Sequence, residues 1–442
     1  MIARSTVRCA GCGSAPPPDD AYQWACPNRR SGDDIDHVMI RHIDLAGLAL
    51  VTSESDNPFV RYRSLLHSYQ RWRAAGRTDA SFVALVEELD DAVAAIDGRG
   101  FRRTPIGRHD RLDAALGARI WVKDETGNVA GSHKGRHLFG LMLLLRVIER
   151  LGTTGPAQEA APLAVASCGN AALAAAVVAA AARRRLEVFV PADADPAVVD
   201  RLRSLGAAIV ACERGAPSAG DPCYHRFRSA VAAGAVPFGC QGSDNGLTIE
   251  GGATLAWETA ESLAGAGVAP DRMMVQVGGG ALASACIQGI DEAVALGVLP
   301  RPPVYDTVQT EGAYPLARAY AAVTERVRSG ASPAEALRDA ARHRSRYMWA
   351  WETAPASIAG GILDDETYDW AAVVGGMLRT GGSVTVAGED TLVEANELAR
   401  RTTGINVDHT GSAGLAGLLA QSRSGVEIPD LDVVVVFSGV RR

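Results

Sequence analysis

Short apolar runs recur from residue 119 to residue 438, and a stretch of helical periodicity follows almost every one. The runs are 119-RIWVKDE-125, 163-LAVAS-167, 187-EVFVP-191, 208-AIVAC-212, 236-VPFGC-240, 273-MMVQV-277, 304-VYDTVQ-309, 383-SVTVA-387 and 432-DVVVVFS-438. A strand that is apolar on both faces must be covered on both faces, and helices between such strands produce parallel sheets. The expected fold class is therefore α/β, with two open, mostly parallel sheets and helices on both faces. Residues 59–96 read as helical with a break near Gly76, Gly127 to Gly131 as a loop, and Arg136 to Leu151 as a strongly apolar helix. A chain of 442 residues exceeds what one hydrophobic core usually serves. The expected division is an irregular N-terminal module over 1–45, a large domain over 46–136 and 243–442, and a small α/β domain over 137–242. In such sheets ligands bind beyond the carboxyl ends of the strands.

Charge and composition remove several function classes. The net charge of −7 and the absence of a long basic run argue against nucleic acid as a partner. The most apolar stretch, 171-AALAAAVVAAAA-182, is too short to span a bilayer, and the N-terminus has no apolar signal core. Eight cysteines scattered over so long a chain suggest thiols in a reducing, cytoplasmic setting rather than a disulfide framework.

Positive charge is carried almost entirely by arginine: 42 arginines stand against two lysines, Lys123 and Lys134. Arginine supplies solubility and ion pairs as well as lysine does, but it does not become a neutral amine nucleophile. A retained lysine therefore points toward amine chemistry, such as a Schiff base. Lys134 follows Gly131-Ser132-His133 and precedes the apolar helix, where the positive end of the helix dipole disfavours a second positive charge. The plain alternative is a lysine at a helix start that faces water.

Three further turns have the composition of a ligand site. Strand 163–167 runs into Ser167-Cys168-Gly169-Asn170 and an alanine helix, leaving backbone N–H groups that suit a carboxylate, or an ordinary turn capped by Asn170. Strand 273–277 runs into Gly278, Gly279 and Gly280. This loop is open to three readings: a tight turn, a phosphate nest, or a dinucleotide fingerprint through Gly278, Gly280 and Ala283 with Glu311 ending the next strand. The last strand ends in Ser438-Gly439, a hydroxyl at a strand end or simply a turn.

In this order, 104-TPIG-107, 122-VKDETGNVAGSHKGR-136, 167-SCGN-170, 250-EGGATLAWE-258, 277-VGGGAL-282, 404-GINVDHTGSAGLAGL-418 and 437-FSG-439 resemble the fold type II pyridoxal-phosphate enzymes. That superfamily includes threonine synthases, serine/threonine dehydratases and cysteine synthases, and the resemblance covers roughly residues 100–442. It implies a tryptophan synthase beta-like fold, a homodimer, pyridoxal 5'-phosphate as cofactor and a small amino acid as substrate. Lys134 would carry the cofactor as a Schiff base and act as the catalytic base. Asn170 would hold the phenolic oxygen, and Ser167, Cys168, Gly169 and Asn170 would receive the substrate carboxylate. Gly278, Gly279, Gly280 and Ala281 would cradle the phosphate, Ser438 would meet the pyridine nitrogen, and His133 would lie against the ring. Lys123 would be structural.

The activity implied is lyase or synthase chemistry: Cα deprotonation, then β- or γ-elimination or replacement, threonine synthase-like first and a serine/threonine dehydratase second. An NAD-dependent oxidoreductase built on the Gly278 loop and a catalytically silent binding protein are the alternatives from other classes. The chain departs from the family pattern where synthases read S-F-K-D, carrying Ser132-His133-Lys134-Gly135. Ala171 and Ala172 also stand where synthases place hydroxyls that handle a substrate phosphate and dehydratases place His, and Ala281 stands where dehydratases carry a fourth glycine.

Cys9-x-x-Cys12, Cys26 and His37 have the composition of a Cys₃His zinc site, although the second half lacks a paired cysteine; a module that is simply packed is the other reading. Asp33, Asp34 and Asp36 read as a solvated turn. The aromatic stretch 345-SRYMWAWETAPASIAGG-361 reads as core packing or as lining of a substrate pocket, and His409 as structural.

Overall fold

A computed structural model describes residues 4–213 and 220–442. Residues 1–3 of the expected N-terminal module and 214–219 of the expected small domain lie outside the described residues. In chain order the strands are β1 (Ser5–Cys9), β2 (Met39–Ile43), β3 (Ile106–Arg108), β4 (Arg119–Asp124), β5 (Leu163–Ala166), β6 (Leu186–Pro191), β7 (Ala208–Cys212), β8 (Val236–Pro237), β9 (Arg272–Gln276), β10 (Val304–Thr310), β11 (Val384–Ala387) and β12 (Asp432–Phe437). All nine apolar runs form strands.

Two parallel sheets result. One has the order β7-β6-β5-β8, and the other β11-β10-β9-β12-β4-β3, with only β3 antiparallel. Helices cover both sheets, so the α/β class follows from the apolar runs as expected. The order of the larger sheet could not be read from the chain: β12, the last strand, inserts between β9 and β4.

Two local expectations need correction. The N-terminal module is not irregular throughout. β1 and β2 pair as an antiparallel ribbon in which Ser5, Val7 and Cys9 face inward and Thr6 and Arg8 outward. The region 59–96 breaks near Gly76 as expected, between helices His67–Ala74 and Asp79–Asp97, but it breaks once more before His67, after helix Pro58–Arg61 and a short 3₁₀ turn. Asn57 and Thr78 cap the first and third, accepting from Phe59 N and Ser81 N, and each cap restarts the chain in a new direction.

Helix Lys134–Arg150 runs through the centre of the molecule, buried along almost its whole length. It crosses helix Thr248–Gly265 backbone to backbone; a Cβ on Gly140 would meet Gly251 Cα at 2.7 Å. Between this crossing and the larger sheet lies a buried, fully paired ion network. Lys123 Nζ donates to Glu258 Oε2 (2.6 Å) and to the Thr104 carbonyl (2.8 Å). Arg136 bridges Glu258 Oε1 and Glu125 Oε2, both at 2.8 Å. Two cations face two carboxylates, and none of the four side chains is more than 1% exposed. Among the described residues no helix is long and apolar enough to cross a membrane. All eight cysteines are free.

Candidate active site

Three parallel neighbours, β9, β12 and β4, deliver three chemically distinct groups at the same sheet edge. β4 leads into the Lys134 loop, β9 into the glycine loop, and β12 into Ser438-Gly439. Ser132 pairs with Gly439 in an antiparallel bridge, and the Ser438 carbonyl accepts from His133 N and Nδ1, both at 3.1 Å. Because a carbonyl only accepts, His133 must carry its proton on Nδ1, leaving the Nε2 lone pair free in the neutral ring. Burial and the neighbouring Lys134 charge hold this imidazole well below its usual range, so it is neutral at physiological pH. The loop before it turns through Ala130 (φ 54°) and Gly131 (φ 65°), two successive left-handed residues that set Lys134 at the helix start.

Lys134 itself has no hydrogen-bond or ion-pair partner among the described residues. Lys134 couples electrostatically to the carboxyl groups of Asp364 and Asp369, both pushed up by burial, and to the Cys240 thiol.

Ser438 is buried at 2% exposure, and its hydroxyl accepts from Gln276 Nε2 at 2.7 Å. The same Gln276 nitrogen faces the carbonyls of Gly411 (2.9 Å) and Val436 (3.1 Å). Reversing the amide would set oxygen against two carbonyl oxygens, so the nitrogen must point this way. With an N–H already directed at its oxygen, Ser438 keeps its own proton to donate elsewhere.

In the smaller sheet, β5 leads into Ser167–Asn170, where Ser167 Oγ accepts from Gly169 N (3.3 Å) and helix Asn170–Ala181 begins. Its first N–H groups have no partner within the helix. The Asn170 amide lies against Gly439, where a Cβ would come within 2.9 Å of Asn170 Nδ2. Arg442 donates to Asn170 Oδ1, and its other branch donates to the Ala130 carbonyl at 2.6 Å.

The glycine loop is covered by the segment 362–369. Thr367 Oγ1 donates to the Gly278 carbonyl (2.9 Å), Asp369 N donates to the Gly279 carbonyl (3.0 Å), and the Asp364 carboxylate accepts from the Gly279 N–H. A Cβ at Gly278 would meet Ile362 Cα at 2.8 Å, one at Gly279 would meet Tyr368 Cδ2 at 2.9 Å, and Gly280 sits at φ 95°. The three glycines thus serve close packing against this segment as well as exposure of backbone amides. Ala281 starts the following helix, Ala281–Ala295.

The expected site residues therefore converge: Lys134, His133, Ser438 and Asn170 are linked through the Ser132–Gly439 bridge and its neighbours, and Asp364 ties the glycine loop to Lys134. The donors fit a phosphorylated pyridine aldehyde. An amine stands unpaired, a hydroxyl is poised to donate, and the Gly279 amide already donates to an oxygen of the Asp364 carboxyl group.

Sequence reasoning missed Gln276, Asp364, Asp369 and Arg442. Gln276 did carry a signal, a polar residue inside the apolar run MMVQV. The two aspartates lie in a loop without a pattern and had none. Asp369 is buried and pushed up to about 8 by loss of water, with Asp36 and Asp244 adding to the shift and the Gly242 N–H opposing it. In the aromatic stretch, Tyr347 stacks on Trp370 and Met348 is buried, as core packing requires. Trp349 and Trp351 instead flank the Arg318 guanidinium at 4.2 and 4.5 Å. His409 begins helix His409–Arg423, capped by Asp408.

Residues 99–439 match the family model described as "Pyridoxal-phosphate dependent enzyme". The threonine synthase of Methanocaldococcus jannaschii is 23% identical over 339 residues, 76% of this chain and 74% of that protein. Maize serine racemase superposes with a TM-score of 0.58 at 19% identity, over 81% of this chain and 93% of that one. The threonine deaminase of T.th. gives 0.57 at 21% identity, over 80% and 98%. The diaminopropionate ammonia lyase of Escherichia coli gives 0.58 at 19%, over 81% and 88%.

Proposed function

The chain belongs to the pyridoxal-phosphate dependent enzymes, and from that premise we propose that it is a lyase or synthase that eliminates or replaces a side-chain group of a small amino acid. The observation that carries the proposal is Ser438, a hydroxyl that Gln276 holds as a donor. A donated O–H leaves a pyridine nitrogen unprotonated, which mutes electron withdrawal into the ring. That favours expulsion of a β- or γ-leaving group over transamination.

When bound, the cofactor supplies an electron sink for the Cα carbanion. Lys134 would hold it, the Gly278–Gly280 amides and Ala281 N would receive its phosphate, and the Asn170 amide its phenolic oxygen. The Lys134 amine would be the base that takes the Cα proton. The unpartnered amides at the start of helix Asn170–Ala181, with Ser167, Cys168 and Gly169, receive the substrate carboxylate. His133, neutral and fixed by the Ser438 carbonyl, adds no positive charge beside Lys134. The dinucleotide reading of the Gly278 loop is set aside, because the family match extends through that loop and Asp364 joins it to Lys134.

A threonine synthase-like reaction is the first reading, supported by the relative from Methanocaldococcus jannaschii. A dehydratase is the second: Ala171 and Ala172 give the carboxylate turn no hydroxyls for a substrate phosphate, and they equally lack the His that dehydratases place there. Mixing the cofactor-loaded protein with O-phosphohomoserine, phosphoserine, serine and threonine, while following visible absorbance and released product, tests both. Phosphate release from O-phosphohomoserine with threonine formed supports the first; ammonia and a 2-oxo acid from serine or threonine support the second. Only racemised substrate, or no turnover at all, sinks the proposal.

A further inference from the structure

Nothing in the catalytic machinery uses the N-terminal module, yet it gathers four soft donors at one point. We propose that Cys9, Cys12, Cys26 and His37 bind one zinc ion in a closed, structural site. Cys9 ends β1, and the turn after it folds tightly back: Gly13 N donates to the Cys9 carbonyl and Cys9 N to the Ser14 carbonyl, both at 2.8 Å. Gly13 adopts φ 78°, where only glycine sits without strain. This turn brings the Cys12 thiol to the side of Cys9. The ribbon partner β2 places His37 next to both, since Ala10 N donates to the Val38 carbonyl (2.8 Å). Cys26 closes the group from the intervening loop.

The donor atoms lie within 4.8 Å of one another. Cys9 Sγ is 3.3 Å from His37 Nδ1, and Cys12 Sγ is 3.5 Å from Cys26 Sγ. A tetrahedral zinc with Zn–S of about 2.3 Å and Zn–N of about 2.0 Å requires edges of roughly 3.5–3.8 Å. The cluster thus needs only small adjustments to close around an ion.

The orientation of His37 is the independent sign of a metal site. Its Nε2 faces the Asp33 carboxylate at 3.1 Å, which fixes the proton there and turns the Nδ1 lone pair toward the thiols. Carboxylate–histidine pairs of this kind raise the basicity of a ligating imidazole. Asp33 is exposed and accepts from Arg30 N and Ile35 N, as in a solvated turn, yet its carboxylate also reaches His37. Its neighbours depart from the solvated-turn expectation: Asp34 accepts from Ser345 N and Oγ, and buried Asp36 accepts from Arg344 Nε at 3.2 Å. Arg344 also pairs with Glu366, inside the stretch that covers the glycine loop. Zinc would stiffen the His37 loop, and through Asp34, Asp36 and Arg344 the segment over the cofactor site.

The test is metal analysis of the full chain isolated under reducing conditions. About one zinc per chain is expected, and the Lys134→Ala variant should retain it, which separates this site from the cofactor reading. Cobalt exchanged for zinc should give the intense visible bands of a tetrahedral thiolate site. Cys26→Ala and His37→Ala should lose the metal. Asp33→Asn, which leaves every ligand in place, should weaken zinc by roughly 10–100-fold in a chelator competition. Overturning results are protein that takes up no zinc, a Cys12–Cys26 disulfide found in the freshly isolated chain by mass spectrometry, or zinc content unchanged in His37→Ala.

Discussion

Lys123 lies on β4 with no solvent exposure, donating 2.6 Å to Glu258 and 2.8 Å to the Thr104 carbonyl, inside a network that leaves no charge unmatched. Lys134, eleven residues later, heads a helix with no side-chain hydrogen-bond partner among the described residues, coupled only electrostatically to Asp364 and Asp369. The scarcity of lysine marked both equally. Their surroundings separate them: a committed ammonium is a structural cation, and an uncommitted one is available for chemistry.

Substitutions at these two positions and at the acids around the second can break or sharpen that contrast. The largest effect belongs to Lys134→Ala. The visible band of cofactor-loaded protein should vanish and turnover fall by at least about 10³-fold, with the apo-protein melting where the wild type does. A variant that keeps its band would show that the amine is elsewhere. Lys123→Ala should do the reverse. Removing one member of a buried ion network leaves a carboxylate undercompensated and costs about 3–5 kcal/mol by denaturant unfolding, while protein that folds still acquires the band. Loss of the band without loss of stability would mean that the two roles have been exchanged.

A smaller effect is expected at Asp364, whose carboxylate accepts the Gly279 N–H that a phosphate would also claim. Asp364→Asn removes a competing anion and should tighten pyridoxal phosphate by about tenfold in a titration of apo-protein, the equivalent of about 1.4 kcal/mol. Unchanged or weaker binding would show that this acid does not compete for the cradle.

The smallest effect concerns Asp369, pushed up to about 8 by burial. The folded chain keeps this proton after the unfolded chain has released its own. Stability should therefore fall as pH rises from the ordinary carboxyl range toward 8, on the order of 1 kcal/mol per pH unit. Asp369→Asn should flatten that slope in urea midpoints measured from pH 5 to 8. An equally steep slope in the variant would assign it to another group.

How much of this was legible in the chain differs from element to element. The nine strands were, because an apolar run flanked by helical periodicity is a local pattern. The β1–β2 ribbon was hidden among prolines and cysteines, and the three-residue β3 was too short to show. Lys134, Asn170, the glycines and Ser438 stood in sequence order as a resemblance, and each follows a run already visible, Lys134 at the start of the next helix. Asp364 and Asp369 were invisible because their role arises from a loop folding back onto residues almost ninety positions earlier. The four candidate zinc ligands could be counted in the sequence, but not that Asp33 orients His37.

By itself the sequence determined the α/β class, the sheet-covering helices and the residue types able to carry amine chemistry, since these depend on periodicity and composition over a few neighbours. Tertiary structure alone decided that β12 inserts between β9 and β4, bringing Ser438 between the Lys134 loop and the glycine turn. It also decided which lysine is paired. Strand order and charge pairing depend on contacts between residues hundreds of positions apart, and hydrophobic periodicity holds no record of them.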